Sequence, residues 1–163
     1  KYGIFCSFSC HFDMKLILNL FLLIYLPISI SFAQDSNFAF EVSVWKSPTC
    51  NCCNKWIQHL SDNGFIVKSY NSGNSTVRQK FGIDNNLGSC HTAFVGGYVI
   101  EGHVPARDIK NLLKIKPNAI GLAVPGMPVG SPGMDGPEYG DRTDNFDVIL
   151  INKDQSLEVF NSY

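Results

Sequence analysis

Three thiols fall within four residues at Cys50-Asn51-Cys52-Cys53. Cys50 and Cys53 form a C-x-x-C pair, and Cys52 is an additional sulfur beside it. A thiolate is both a nucleophile and a metal ligand, so the cluster admits three readings. A structural disulfide between Cys50 and Cys53 closes so small a loop that it would constrain the unfolded chain little. A thiol–disulfide oxidoreductase needs only two cysteines, and an adjacent third invites wrong pairings. A soft-metal site has a use for all three sulfurs. Cys90-His91 forms a second pole, 37 residues beyond Cys53. A soft thiolate next to a borderline imidazole suits Cu(I) or Zn(II), while a histidine capping a carbonyl at a strand edge is the plainer alternative for His91.

The third element is a repeated tripeptide, Pro125-Gly126-Met127 and Pro132-Gly133-Met134. Thioethers are neutral, soft ligands that suit Cu(I) and serve Zn(II) poorly. On a flexible loop they can close over a metal; as gap-filling core residues they need no such role. The other histidines read as structural. His103 could serve as a ligand, but it lies 12 residues from His91 beyond a full strand, so the structural role of fixing the following helix is favoured, because buried polar groups find partners. His59, in mid-helix beside Leu60, reads as a surface or packing residue. Asp135, Glu138, Asp141, Asp144 and Asp147 lack the spacing of a calcium loop and read as a solvated stretch.

The elements that must position these residues follow from periodicity. Glu41-Val42-Ser43-Val44-Trp45 alternates with period two and predicts a strand. Cys53, Trp56, Ile57 and Leu60 fall on one face of a helix from about Cys50 to Asn63, with Gly64 as its stop. Phe65 to Tyr70 predicts a strand and Ser75 to Phe81 a short helix. Thr92–Val95 and Tyr98–Glu101 flank Gly96-Gly97, a hairpin signal. Pro105 opens a helix from Ala106 to about Lys114, and Pro117 ends it. From Gly121 to Arg142 the chain is Gly/Pro-rich and aperiodic, which predicts a long loop, and such loops inside compact domains are commonly functional. Phe146–Ile151 and Leu157–Phe160 predict a final hairpin. A cysteine pair that follows a strand and opens a helix in such a unit predicts an α/β fold with a thioredoxin-like core. That core has a mixed central sheet flanked by helices, plus the long Gly/Pro/Met loop and the C-terminal hairpin. There the turn before the Cys90 strand faces the start of the cysteine helix, so Cys90 is expected to approach Cys50 and Cys53.

The front of the chain reads differently. Met14-Lys15 precedes an apolar run from Leu16 to Leu26, then Pro27 and the small-residue exit Ser31-Phe32-Ala33. A positive start, a short apolar stretch and small residues at −3 and −1 predict a signal peptide over 14–33, cut after Ala33. Asn19 and Pro27 interrupt the run, which argues against a membrane span. Residues 1–13, with Cys6, Cys10 and His11, read as translation upstream of the true start. Residues 34–163 then form a single exported domain, large enough to bury a core. With 13 Lys+Arg against 14 Asp+Glu, the formal net charge of −1 lacks the basic excess a nucleic-acid binder needs. The 45% hydrophobic and 17% charged composition excludes disorder over most of the chain.

Longer motifs add a resemblance. Cys50-x-Cys52-Cys53 with Lys55-Trp56, Ser89-Cys90-His91-Thr92, Glu101-Gly102-His103-Val104-Pro105-Ala106, and Gly121 to Met134 together resemble the CopG family, a bacterial family long treated as a domain of unknown function. The resemblance runs from about Val42 to Phe160. It implies a thioredoxin-like fold, a periplasmic location and a role in copper resistance, with sulfur-bridged copper and cycling between Cu(I) and Cu(II). Carried over by position, it implies Cys50, Cys52, Cys53, Cys90, His91, Met127 and Met134 as copper ligands. Two positions depart from the family pattern. Ile83-Asp84 stands where a proline-containing turn is usual, which bears on the loop before Cys90. Asp135 replaces a usual Glu.

Overall fold

The computed structural model describes residues 39–163. The expected signal peptide at 14–33 and the segment 1–13 lie outside the described residues. Among the described residues no helix is long and apolar enough to cross a membrane.

Strand β1 (Glu41–Lys46) buries Val42, Val44 and Lys46 on one face, as its period-two pattern requires. The chain turns through Ser47–Thr49 into α1 (Asn51–Asp62). Cys50 is the N-cap: the Cys53 backbone N–H donates to its Sγ at 3.3 Å. Cys53, Trp56 and Leu60, at i, i+3 and i+7, form the buried stripe of α1. Strand β2 (Ile66–Tyr70) returns parallel to β1, and the short helix α2 (Ser75–Lys80) follows. Strands β3 (His91–Val95) and β4 (Tyr98–Glu101) form the antiparallel hairpin about Gly96-Gly97, and α3 (Ala106–Ile115) follows. β3 also pairs antiparallel with β1. This βαβ unit followed by a ββα unit has the connectivity of the thioredoxin-like core expected from the sequence.

Three further strands widen the sheet. They are β5 (Ala119–Ala123), β6 (Asp147–Asn152) and β7 (Leu157–Ser162), and the seven strands run in the order β2-β1-β3-β4-β5-β6-β7. The late hairpin is β6–β7, as expected. β5 corrects the sequence reading, in which the aperiodic loop began at Gly121. Gly121 sits in mid-strand, with a register shift between Ala119 and Gly121, so alternation is broken there. The glycine is needed because a Cβ at this position would overlap the Val99 backbone of β4. That close approach lets β5 join the hairpin to the core.

Helices α1 and α3 cover one face of the sheet, and the segment after α2 covers part of the other. On one, Val42, Val44, Ala93 and Ile100 pack against Trp56 and Leu60 of α1 and Ile109 and Leu112 of α3. On the other, Val99, Ala123 and Ile151 meet Ile83 and Leu87, with Phe81 and Phe94 stacked at 5.3 Å. α1 and α3 are tied through His59, whose Nε2 accepts the Ala106 backbone N–H at 3.0 Å. His59 is therefore a cap for α3, taking the role in helix fixing that the sequence reading gave to His103.

Two outcomes follow. Gly121→Ala is expected to destabilise the fold by about 3 kcal/mol or more, by overpacking against backbone that cannot yield, as read from denaturant unfolding. The His59 cap requires a neutral imidazole, and burial holds the pKa of His59 below its usual value. The unfolded chain then binds the proton more readily, so this contribution is complete above the ordinary histidine pKa and is lost as pH falls through the lowered one. His59→Gln should flatten the acid limb of a stability–pH curve measured by thermal unfolding.

Candidate metal centre

The β1–β3 ladder brings the two sulfur poles together. Lys46, the last residue of β1, pairs with His91, the first of β3, so the turn leading to Cys50 adjoins Cys90. Cys50 and Cys53 are joined as a disulfide, while Cys52 and Cys90 are free thiols. Cys90 Sγ lies 3.3 Å from Cys53 Sγ and 3.8 Å from Cys52 Sγ, and Cys52 Sγ lies 3.5 Å from Cys50 Sγ. All four sulfurs fall within 4.8 Å of one another. Cys53 is wholly buried and the other three are half-buried.

Two imidazoles stand behind Cys90. His91 Nδ1 is 3.4 Å from Cys90 Sγ, its ring packs on Trp56 with centroids 4.3 Å apart, and its Nε2 is buried without a partner. His103 Nε2 is 3.2 Å from the same sulfur, and its Nδ1 meets the Pro132 carbonyl at 2.9 Å. Cys90, His91 and His103 form a second group of ligand atoms within 4.8 Å. His103 therefore has a structural contact, through Nδ1 to the loop, and also lies against the thiol, which its position in the sequence did not suggest. The signal was in the hairpin: Thr92 opposite Glu101 sets a register that, extended outward, puts Cys90 opposite His103.

On the other side of β3 a buried carboxylate fixes the turn that carries Cys90. Glu101 is fully buried and accepts from the Ser89 backbone N–H at 2.8 Å, the Thr92 hydroxyl at 2.5 Å and Arg78 Nη1 at 3.2 Å. Arg78 also donates to the Ser89 carbonyl at 3.2 Å. Thus α2 and β4 hold Ser89, the neighbour of Cys90, and Thr92 of β3 holds the carboxylate that does so. Burial raises the Glu101 pKa, and its hydrogen bonds from Thr92, Ser89 and Arg78 oppose that rise.

The long loop is fastened rather than free. Ser89 Oγ donates to the Gly126 carbonyl at 2.5 Å, and Gly130 N–H to the Met134 carbonyl at 2.8 Å. Val129 N–H reaches Asp144 at 3.0 Å and Gly133 N–H reaches Asp135 at 3.1 Å, so two of the supposedly solvated acids staple the loop. Lys55 pairs with Glu138 across it. Gly133 lies against the α1 backbone, where a Cβ would stand 2.7 Å from the Cys52 carbonyl oxygen. The two thioethers differ. Met134 is buried, with its Sδ 3.4 Å from the Tyr139 hydroxyl. Met127 is 52% exposed and lines a shallow cleft of ≈ 390 Å³ with Arg78, Ser89 and Cys90.

Desolvation sets the resting charges. Burial, reinforced by Cys52, pushes the Cys90 thiol up to about 12. Burial also lowers the pKa of His91 and His103. At neutral pH the metal-free site is therefore a protonated thiol backed by neutral imidazoles. Neutral imidazole is the form that ligates, and a soft ion can take the place of the thiol proton.

Removing one partner of the Arg78–Glu101 pair leaves a buried charge uncompensated. Glu101→Ala should cost about 3–5 kcal/mol in denaturant unfolding, and pairing it with Arg78→Met should recover part of that loss.

A family model described as "Protein of unknown function, DUF411" matches residues 87–134, the stretch that holds Cys90, His91, His103, Met127 and Met134. No curated protein matches the chain. Two solved structures, "Copper resistance protein copG- Form 2" and "Copper resistance protein copG- Form 1", are each 40% identical to it, with a TM-score of 0.71. Each match covers 77% of this chain and 98% of the other. With that identity over nearly the whole of those chains, this chain belongs to the family of the copper resistance protein CopG.

Proposed function

We propose that the protein is exported to the periplasm, by cleavage after Ala33, and there captures Cu(I) in copper resistance or homeostasis. The observation that carries this reading is the gathering of four sulfurs from two distant chain segments within 4.8 Å. Thiolates are soft, bridging ligands, and so closely spaced a set favours a monovalent coinage ion over a hard cation. In this reading Cys50, Cys52, Cys53 and Cys90 are the primary ligands. His91 supplies nitrogen beside Cys90, and Met127 and Met134 supply thioether sulfur from the loop. The copper is cargo. The Cys50–Cys53 bond must first accept two electrons and two protons from a dithiol, which itself becomes a disulfide.

Anaerobic native mass spectrometry of the reduced protein with and without Cu(I) tests this. Cys53→Ser and Cys90→Ser should each bind fewer copper ions than the wild type; unchanged stoichiometry in either removes that residue from the ligand set. Each thiol proton displaced should weaken binding about tenfold per unit fall in pH over the range where the thiol is protonated, as read by competition with a chromophoric Cu(I) chelator.

The disulfide at the start of α1 favours one second reading, a thiol–disulfide or copper oxidoreductase working through Cys50 and Cys53. There a substrate thiolate attacks one sulfur of the bridge, forms a mixed disulfide and releases the other as thiolate, and a second substrate thiol completes the exchange. Copper-free protein would then turn over a dithiol or disulfide substrate, and Cys53→Ser would abolish it. Absence of turnover without metal excludes the thiol–disulfide form of this reading.

A further inference from the structure

A buried lysine is paired across the β1–β3 ladder with His91, and among the described residues no carboxylate pairs with it. Lys46 is 3% exposed and shares the inward face of β1 with Val42 and Val44, the face covered by α1. Its Nζ donates to the Ser47 carbonyl at 3.2 Å. Among the described residues the ion pairs are Lys55–Glu138, Arg78–Glu101 and Arg142–Asp144, and Lys46 is in none of them. The first turn of α1 holds no acidic residue either. An ammonium is strongly hydrated, and burying it without an anion is costly. Such a group stays in a fold where an anion appears beside it.

The geometry says which anion. Lys46 is directly paired with His91, so the two side chains project from the same face of the sheet. His91 touches Cys90, and Cys90 touches Cys53. The chain from Lys46 runs through only Ser47, Pro48 and Thr49 before Cys50. Four thiolates that hold fewer than four Cu(I) ions carry net negative charge. The guanidinium of Arg78 is already paired with Glu101.

Building on the copper reading above, we infer that Lys46 is the counter-charge of the partly loaded copper–thiolate cluster. It is a positioning residue that acts through charge and ligates nothing. Its effect is largest when thiolates outnumber copper ions and fades as loading neutralises the cluster. A lysine kept only for packing would have no such dependence on loading.

The test is an anaerobic Cu(I) titration of the reduced protein, followed by native mass spectrometry and by competition with a chromophoric Cu(I) chelator. Wild type, Lys46→Met and Lys46→Arg are compared, with thermal unfolding as a check on the fold. Met keeps the length of the stem without charge, and Arg keeps the charge. Lys46→Met is expected to weaken binding of the first ions by about tenfold or more. Partly loaded species should be depleted in favour of empty and fully loaded protein, and the last ion should be affected less. Lys46→Arg is expected to restore the wild-type distribution. A Lys46→Met titration that matches wild type overturns the inference. So does an Arg variant that fails as the Met variant does, because charge is then not what the position supplies. If the Met variant does not unfold cooperatively, Lys46→Gln takes its place under the same criteria. A wild type that takes up no Cu(I) overturns the copper reading itself, a result distinct from any difference among the variants.

Discussion

The antiparallel ladder between β1 and β3 is the constraint on which the centre depends. Side chains alternate along a strand, so once Val42 and Val44 are buried under α1, Lys46 must be buried with them. The register then places His91 opposite Lys46 and Ala93 opposite Val44, all on the same face. A slip of one residue would send His91 to the other face and carry Cys90 away from the start of α1. The apolar core thus specifies a polar site. The cost of burying a lysine and two histidines comes with the register that unites the sulfurs.

Cys90 lies at the end of the sheet between two unlike layers. On the α1 face are the imidazoles and the Trp56 ring, whose Nε1 donates to the Val104 carbonyl at 2.9 Å. On the α2 face is the Arg78–Glu101 pair with Thr92 and Ser89. The first layer sets imidazole nitrogens and an aromatic ring against the thiol, and the second holds the backbone in place. A carboxylate that accepts three hydrogen bonds is confined more tightly than an apolar side chain of its size, and here the confinement passes to the residue next to the thiol. Arg78 comes from a helix with no buried residues of its own, so this polar anchor does for α2 what an apolar stripe does for α1.

Much of this was legible in the sequence because it was periodic. The Cys53–Trp56–Leu60 stripe, the alternation of β1 and the Gly96-Gly97 turn give α1, β1 and the β3–β4 hairpin within a residue or two of their observed ends. The approach of Cys90 to the cysteine helix followed from the order of elements. What escaped was non-local. β5 hides behind Gly121, whose missing side chain is a requirement of the Val99 backbone on another strand. His103 looks remote when residues are counted along the chain and adjacent when they are counted across the hairpin. His59 caps a helix 47 residues away, and nothing local in α1 announces that bond. The Gly/Pro loop read as a flexible flap because its fasteners, Ser89, Asp135 and Asp144, are ordinary polar residues until the fold brings each to its partner.

The same four sulfurs could serve exchange chemistry or metal capture, and their surroundings weigh between the two. Exchange needs a reachable thiolate whose pKa lies near ambient pH. Cys53 is wholly buried and the Cys90 thiol is pushed up to about 12 by burial and by Cys52, so neither is a ready nucleophile. A soft cation changes this balance. Bound here, it would replace the thiol protons, so the desolvation that suppresses the free thiolate would strengthen the attraction of Cys52 and Cys90 to the ion. Neutral, water-excluded imidazoles behind Cys90 suit the same purpose, since a charged imidazolium could not ligate. The loop completes the contrast by laying Gly133 directly on the α1 backbone at Cys52. A redox active site must admit a disulfide substrate at the start of α1, which this contact covers, whereas a bare ion can enter by the shallow cleft beside Cys90 with its exposed Met127.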